Sequence, residues 1–264
     1  MLQTMYFNEN FFAIAIQTAI WLPAIIMCLI TGVSAAKSEG GRLRRISLYF
    51  SLFSGAIALT YIWWTLRALL FAADSRASDG WFILWQLAYG FGVLAFYFLA
   101  LWSLALISPD LLEQRKSLYL VLLVLWLIVA IDLTVIMNDN IADSNPVVFA
   151  GLNDVKPDII LSGISTLAVV IYTGIPILGF LRYLLSKVNR TSPNFRKILI
   201  IEVGLIFFFL GSVVDASKAA PPIIGGALLF ISRSFMGSGI ILMFIGLKLP
   251  KRLQQRPALL QPST

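Results

Sequence analysis

The chain has 264 residues, of which 59% are hydrophobic and only 12% are charged, whereas a soluble domain carries about 25% charged residues. This composition, with a mean hydropathy of +0.88, excludes a soluble globular protein, a disordered chain and a nucleic-acid-binding domain. The sequence has one cysteine and no histidine, so it predicts no internal disulfide, no histidine-ligated metal or haem and no histidine general base.

Seven apolar stretches follow one another along the chain, each of the about 20 residues that a membrane-spanning helix needs. They lie at 11–35, 46–72, 81–107, 117–137, 158–185, 197–217 and 221–247. The weakest division is between the last two, where Asp215, Lys218 and the pair Pro221-Pro222 mark a polar turn before a new helix. The sequence therefore predicts an all-α, polytopic integral membrane protein, with one seven-helix bundle over residues 1–250 and a short cytoplasmic tail at 251–264.

Lysine and arginine residues are distributed unevenly between the loops. Fifteen of the twenty fall in the loops after the first, third and fifth stretches and in the tail, and the opposite loops hold only Arg76, Lys156 and Lys218. Cytoplasmic loops are the basic ones in membrane proteins, so the pattern predicts an outer N-terminus, a cytoplasmic C-terminus and a location in the plasma membrane. The net charge of +7 then follows from topology and from contact with anionic lipid headgroups, without a nucleic-acid partner.

Ionisable residues inside a membrane span cost about 3 kcal/mol or more and are candidate functional residues for that reason. Arg233 lies about twelve residues into the seventh stretch, close to the expected membrane midplane, with Ser232 and Ser234 beside it. Arginine stays protonated in proteins, so Arg233 must meet an anion, water or backbone carbonyls. Its position fits a ligand-binding or coupling residue and a structural ion pair equally well.

Arg67 in the second stretch follows Trp63 and Trp64 by four and three residues, so all three can share one helix face. That geometry allows a cation–π contact; the alternative is an interfacial arginine among belt aromatics. Asp132 in the fourth stretch is the natural counter-ion for either arginine. The directions of the stretches place Arg67, Asp132 and Arg233 between the midplane and the outer face, where they would line an outward-opening polar pocket if the bundle packs them together.

Glu202 lies about five residues into the sixth stretch, near its cytoplasmic end. It is a candidate coupling residue, or else a neutral side chain or one that extends toward Lys197. Asp132 and Glu202 are the carboxylates that the sequence places inside the membrane, on different spans and at different depths. Because no cluster of metal ligands and no buried lysine accompanies them, the sequence predicts no catalytic residues, no metal site and no enzyme.

Two segments resemble known membrane-protein patterns. The segment from Val213 to Lys218 resembles the retinal-lysine segment of microbial rhodopsins, but its aspartate-to-lysine spacing is three rather than four and Lys218 falls at an outer turn, so we expect no retinal and no other cofactor.

The last span carries Arg233, Gly237 and Phe244 and then reads Ile245-Gly246-Leu247-Lys248-Leu249-Pro250. This resembles uncharacterised prokaryotic, especially archaeal, seven-helix sensor-like proteins, some of them similar to the input regions of histidine kinases. The resemblance implies a signal-sensing module.

The sequence favours a receptor-like membrane protein whose small-molecule ligand binds near Arg67, Asp132 and Arg233. The basic inner loops, especially 182–197, would then face a separate cytoplasmic signalling protein, and a homo-oligomer is compatible with this arrangement. One alternative is a transporter or channel for an anionic or amphipathic solute, with Glu202 lining an inner vestibule. Another is an accessory subunit in which Arg233 and Asp132 only hold helices together.

Overall fold

The computed structural model describes residues 10–38, 41–71, 79–107, 117–131, 147–149, 152–154, 159–186, 193–217 and 222–248. Over these residues the chain forms seven helices, one overlapping each apolar stretch predicted from the sequence, with ends that differ by up to about six residues. They are α1 (Phe11–Ala36), α2 (Gly41–Leu70), α3 (Asp79–Ile107), α4 (Ser117–Ile131), α5 (Ile159–Ser186), α6 (Pro193–Ser217) and α7 (Pro222–Lys248). The helical fold class is confirmed.

Six of these helices are long and apolar enough to cross a membrane, namely α1, α2, α3, α5, α6 and α7. The protein is therefore a multi-pass membrane protein. Helix α4 has 15 described residues, which span about 22 Å at 1.5 Å per residue, less than the about 30 Å of the hydrocarbon core. Asp132 follows directly after α4 and lies outside the described residues, so the seventh crossing and the position of Asp132 stay predictions.

A short hairpin lies between α4 and α5. Its strands β1 (Val147–Phe149) and β2 (Leu152–Asp154) pair antiparallel, with Val148 opposite Asn153, and the hairpin packs against α7. Strands of three residues leave too short an alternation of apolar and polar residues to be recognised in a sequence.

Helices that follow one another in the chain pack side by side and antiparallel. The packed pairs form the circuit α1–α2–α3–α5–α6–α7 and back to α1, and α4 lies against α3 and α5 only weakly. At one end of the bundle, the Asn10 side chain donates hydrogen bonds to the carbonyl oxygens of Ala68 (2.8 Å) and Phe71 (3.0 Å), so the start of α1 is tied to the end of α2. We call this end of the bundle the Asn10 end; it is the end that the charge pattern predicts to be outside.

The bundle has an aromatic interior and an apolar exterior. Phe53 of α2 meets Phe208 of α6 edge to face at 5.6 Å, and Phe96 of α3 contacts the same ring at 5.4 Å, so three helices converge on one side chain. On the outside, large aliphatic side chains are left exposed, for example Leu178 at 68% and Leu185 at 79%. Apolar exposure on this scale is unusual for a water-soluble monomer and is what a lipid-facing surface requires.

Glycines hold α6 and α7 in backbone contact. A methyl group at Gly204 would lie 2.8 Å from the carbonyl oxygen of Gly239, and one at Gly239 would lie 2.6 Å from the carbonyl oxygen of Gly204. Side chains larger than hydrogen would force these helices apart, which is why small residues mark close helix pairs in membranes. The close pair fixes the depth of Arg233 on α7 relative to Asp215 on α6.

Candidate functional site

Two buried arginines meet on one tryptophan. The guanidinium carbon of Arg67 lies 4.0 Å from the centre of the Trp64 ring, and that of Arg233 lies 4.3 Å from the same centre. Arg67 also lies 4.6 Å from the Trp81 ring. All of these side chains are buried, with 1% of Arg233 and 3% of Arg67 exposed. Two guanidinium cations therefore contact the same indole ring and lie within about 8 Å of each other.

Arg67 and Trp64 come together through helix geometry, because residues three apart lie on one face of α2. Arg233 reaches the same ring from the middle of α7, since α7 runs antiparallel to α2 and Tyr61 of α2 also contacts Met236 of α7, with 3.8 Å between the hydroxyl and the sulfur. Burial places Arg67 inside the bundle rather than among lipid-facing belt residues.

The other predicted neighbours do not join this contact. Trp63 is partly buried and packs against the cluster that contains Trp64. The hydroxyls of Ser232 and Ser234 donate to the carbonyl oxygens of Leu229 and Phe230 in the same helix, each at 2.9 Å. These serines are occupied by backbone hydrogen bonds of α7, a common use of serine within helices.

A cavity of about 70 Å³ lies beside Arg233, between α2, α3, α5, α6 and α7. A water molecule needs about 10–15 Å³ of such space, so the cavity has room for several waters or for a small solute. Its walls are formed by Ile57, Thr60, Tyr61, Trp64, Ala88, Tyr89, Gly92, Val93, Phe96, Ser165, Ala168, Val169, Tyr172, Phe208, Ser212, Asp215, Arg233 and Met236. Trp64 and Arg233 are thus wall residues, whereas Arg67 contacts Trp64 but is not one of the wall residues.

Two side-chain oxygen atoms of the wall are buried without a hydrogen-bond partner among the described residues: Asp215 Oδ1 and Ser165 Oγ. Two other wall hydroxyls are satisfied within their own helices, since Thr60 donates to Ala56 O at 2.9 Å and Ser212 to Phe208 O at 2.6 Å. Most buried polar atoms in proteins find a partner, and an exception calls for a water, an ion or a ligand. The oxygens of Asp215 and Ser165 are therefore available to accept hydrogen bonds from water or from a polar guest in the cavity.

Asp215 is the carboxylate of the wall, and the sequence analysis did not name it as a site residue. Because it precedes Lys218 and two prolines, the sequence places it in the polar turn that ends the stretch 197–217. Helix α6 does end at Ser217, but Asp215 lies in the cavity wall. The spacing of Gly204, Phe208, Gly211 and Asp215, in steps of four, three and four, places all four on one helix face. That face packs against α7. This periodicity is the sequence signal that could have placed Asp215 inside the bundle.

Glu202 lies apart from the cavity. Its side chain is 3% exposed, and both carboxylate oxygens are buried without a hydrogen-bond partner among the described residues. It does not extend to the surface toward Lys197, and it is not one of the cavity wall residues. Glu202 is therefore a separate buried carboxyl group, farther from the Asn10 end than Asp215.

Comparison of this chain with protein-family models, with curated proteins and with solved structures gives no match. The resemblance of the last span to seven-helix sensor-like proteins stays a prediction. The argument for function therefore depends on the geometry of the cavity.

Proposed function

We propose that this protein is a receptor-like membrane protein of seven spans, with its N-terminus outside and its C-terminus in the cytoplasm, that binds a small molecule in the cavity beside Arg233. The observation that carries the proposal is a cavity between five helices whose wall holds a buried cation, Arg233, and a carboxylate with an unsatisfied oxygen, Asp215. Ligand sites are typically concave and mostly apolar with a few convergent polar groups.

The cavity lies in the half of the bundle near the Asn10 end. Trp64 and Asp215 come shortly before the ends of α2 and α6, and Ser165 comes shortly after the start of α5. The uneven distribution of lysine and arginine favours this end as the outer one. A ligand would accordingly enter from outside the cell, as a receptor for an external signal requires.

The position of Glu202 favours a receptor over a transporter. A transporter needs a route from one side of the membrane to the other, and the polar group best placed to line an inner vestibule is Glu202. Its absence from the cavity wall limits the described cavity to one half of the bundle. In an accessory subunit the unsatisfied oxygens of the wall would be satisfied by trapped water rather than by a solute, and access of a reagent to the cavity distinguishes the two.

A signal would reach the cytoplasm along α6. This helix carries Asp215 at the cavity end, and its other end is joined to α5 by the basic loop around 187–192. The glycine contacts make α6 and α7 a close pair, so a ligand that draws Arg233 and Asp215 together shifts both helices. A cytoplasmic partner at the basic loop would read that shift.

Sided thiol labelling tests this proposal. In a Cys28→Ala background, which removes the only native cysteine, Ser165→Cys places a thiol in the cavity wall and Val170→Cys, at a position that is 42% exposed, places one toward lipid. A charged, membrane-impermeant methanethiosulfonate is applied to intact cells and to inside-out vesicles. We expect Ser165→Cys to react from the outside only and Val170→Cys to react from neither side.

The other outcomes each contradict the proposal in a different way. Reaction of Ser165→Cys from both sides would show alternating access and favour transport. Reaction from neither side, at the rate of Val170→Cys, would show a dry interior and favour an accessory subunit. Reaction from the cytoplasmic side only would reverse the proposed orientation.

A further inference from the structure

We infer that the cavity binds a neutral short-chain alcohol of about three non-hydrogen atoms, with its hydroxyl group between Asp215 and Ser165 and its alkyl group against the apolar wall. This inference rests on the proposed function, since it names the ligand class of the same cavity. It follows from three properties of the cavity: its size, the kind of hydrogen-bonding atoms in its wall and the apolar character of the remaining wall.

The size of the cavity limits the guest to a few atoms. In another protein a cavity of about 150 Å³ accommodates benzene, a ring of about six non-hydrogen atoms. On that scale the cavity of about 70 Å³ has room for about three non-hydrogen atoms. The guest is therefore smaller than an amino acid, a sugar or a nucleoside, and it enters the cavity without a shell of water molecules.

The side-chain oxygens of the wall offer acceptors rather than donors. The hydroxyl groups of Thr60 and Ser212 already donate their hydrogens to Ala56 O and Phe208 O, so only the lone pairs of these two oxygens are left for a guest. Asp215 Oδ1 is buried without a hydrogen-bond partner among the described residues, and an ionised carboxylate only accepts hydrogen bonds. A guest that binds here must therefore bring a donor.

Ser165 complements a guest that is both a donor and an acceptor. The residue is 3% exposed, and its Oγ has no hydrogen-bond partner among the described residues, so its hydrogen and its lone pairs are both available. A guest hydroxyl group donates its hydrogen to Asp215 Oδ1 and accepts the hydrogen of Ser165. One O–H group thus satisfies both buried oxygens, whereas an ether or a nitrile leaves Asp215 without a donor.

A neutral guest fits this wall better than an ion does. Among the described residues the wall holds one basic and one acidic side chain, Arg233 and Asp215, so a neutral guest leaves the charge of the wall unchanged. Arg233 already contacts Trp64 and has further interactions, and the guest needs no donor from it. An ion would have to lose its hydration water in a space of this size, which costs far more than the transfer of a neutral hydroxyl group.

The rest of the wall is suited to an alkyl group. Ile57, Val93 and Met236 line it, and burial of an alkyl group against such side chains is favourable. Ethanol combines one hydroxyl group with one ethyl group and matches the size of the cavity. Acetonitrile is the matched probe, because it has as many non-hydrogen atoms as ethanol and also ends in a methyl group, but it brings no donor.

Nuclear magnetic resonance of the methyl groups of these two probes tests the inference. Ethanol and acetonitrile, each labelled with ¹³C in its methyl group, are titrated separately into the full-length protein in nanodiscs. The broadening of the methyl signal is corrected with empty nanodiscs, which report partition of the probe into lipid. So small a ligand binds weakly, and we expect a Kd for ethanol of about 0.5 mM or more.

The hydrogen bond to Asp215 should set the two probes apart. A hydrogen bond to a charged acceptor is worth at least about a tenfold change in affinity, so we expect ethanol to bind at least about tenfold more tightly than acetonitrile. Unlabelled 1-hexanol is too long for the cavity and should not displace ethanol.

Two matched replacements locate the site. Asp215→Leu removes the acceptor and keeps a side chain of similar shape, so the affinity for ethanol should fall to about that for acetonitrile, whose own affinity should not fall. Glu202→Leu makes the same replacement at a buried carboxyl group that is not one of the wall residues, and it should leave both affinities unchanged.

The outcomes separate this inference from the proposed function. The inference is wrong if acetonitrile binds as tightly as ethanol, if 1-hexanol displaces ethanol, or if neither probe is broadened beyond its signal with empty nanodiscs. It is also wrong if Asp215→Leu keeps the preference for ethanol. In each of these cases the receptor proposal stands if Ser165→Cys reacts from outside only. If Ser165→Cys reacts no faster than Val170→Cys, the receptor proposal itself fails. The comparison of probes on the unmodified protein needs no variant to fold.

Discussion

Replacing Trp64 by leucine should break two interactions at once, because the indole contacts the guanidinium groups of both Arg67 and Arg233. The two ring distances, 4.0 Å and 4.3 Å, are within the about 6 Å range of a cation–π contact. Exposure is 4% for Trp64, 3% for Arg67 and 1% for Arg233. At such burial each contact is worth about 2 kcal/mol, so losing both contacts should cost at most about 4 kcal/mol, because the two guanidinium groups on one ring also repel each other.

Double-mutant cycles measure these terms separately, because changes made by each single replacement cancel in the coupling free energy. We expect Trp64→Leu and Arg233→Met to couple by about 2 kcal/mol, and Trp64→Leu and Arg67→Met to couple by a similar amount. The free energy of unfolding is measured for each variant at equilibrium in mixed micelles with increasing denaturing detergent. Trp63→Leu is the matched control, since Trp63 neighbours Trp64 but makes no cation–π contact among the described residues.

The result that would refute this reasoning is additivity. Coupling free energies below about 0.5 kcal/mol are those of independent sites. If both cycles fall below that limit, the tryptophan does not link α2 to α7 energetically. A coupling as large for Trp63 as for Trp64 would equally show that the measured effect is general packing rather than the shared ring.

Three further outcomes follow from the packing. Gly239→Ala puts a methyl group 2.6 Å from a backbone carbonyl oxygen of α6 and should lower the free energy of unfolding by about 1–3 kcal/mol. In the control Gly174→Ala, the added methyl group would meet no neighbouring atom within 4 Å, so stability should be unchanged or higher. Equal losses of stability in the two variants would contradict the close α6–α7 contact. Glu202→Gln keeps the shape and removes an ionisable group that has no hydrogen-bond partner among the described residues, so the melting temperature should not fall, and a marked fall would reveal a partner. Tyr172→Phe removes the hydrogen bond that the hydroxyl donates to Leu122 O at 2.5 Å and should cost about 0.5–1.5 kcal/mol in the same unfolding assay. No loss of stability would show that α4 docks by other contacts.

The helices were predictable because a helix is the structure in which an apolar stretch can satisfy the hydrogen-bonding groups of its own backbone. In lipid every N–H and C=O group needs an internal partner, so each long apolar stretch must be helical whatever it packs against. The helix ends were less accessible to this reasoning: α6 ends at Ser217, as the stretch 197–217 predicts, but it begins at Pro193, four residues before that stretch. Composition locates a helix, whereas the position of its first turn depends on capping and local contacts.

The candidate site was predictable only in part. The contact between Trp64 and Arg67 is local, since the two residues are three apart on one helix, and the spacing alone predicts it. The contact between Trp64 and Arg233 depends on α7 lying beside α2, and no pattern within a single helix contains that information. Ser165 and Asp215 enter the cavity wall for the same reason, through the order in which the helices pack.

The claim that the cavity beside Arg233 admits a small solute is tested most directly at Ser212. Its hydroxyl is bonded within α6, so Ser212→Cys in the Cys28→Ala background places a thiol in the wall without altering Asp215 or Ser165. The measurement is the rate at which an impermeant methanethiosulfonate modifies this thiol from outside the cell. We predict modification much faster than at Val170→Cys, since a cavity open to the outside admits the reagent and a lipid-facing position does not. Modification as slow as at Val170→Cys would contradict the account.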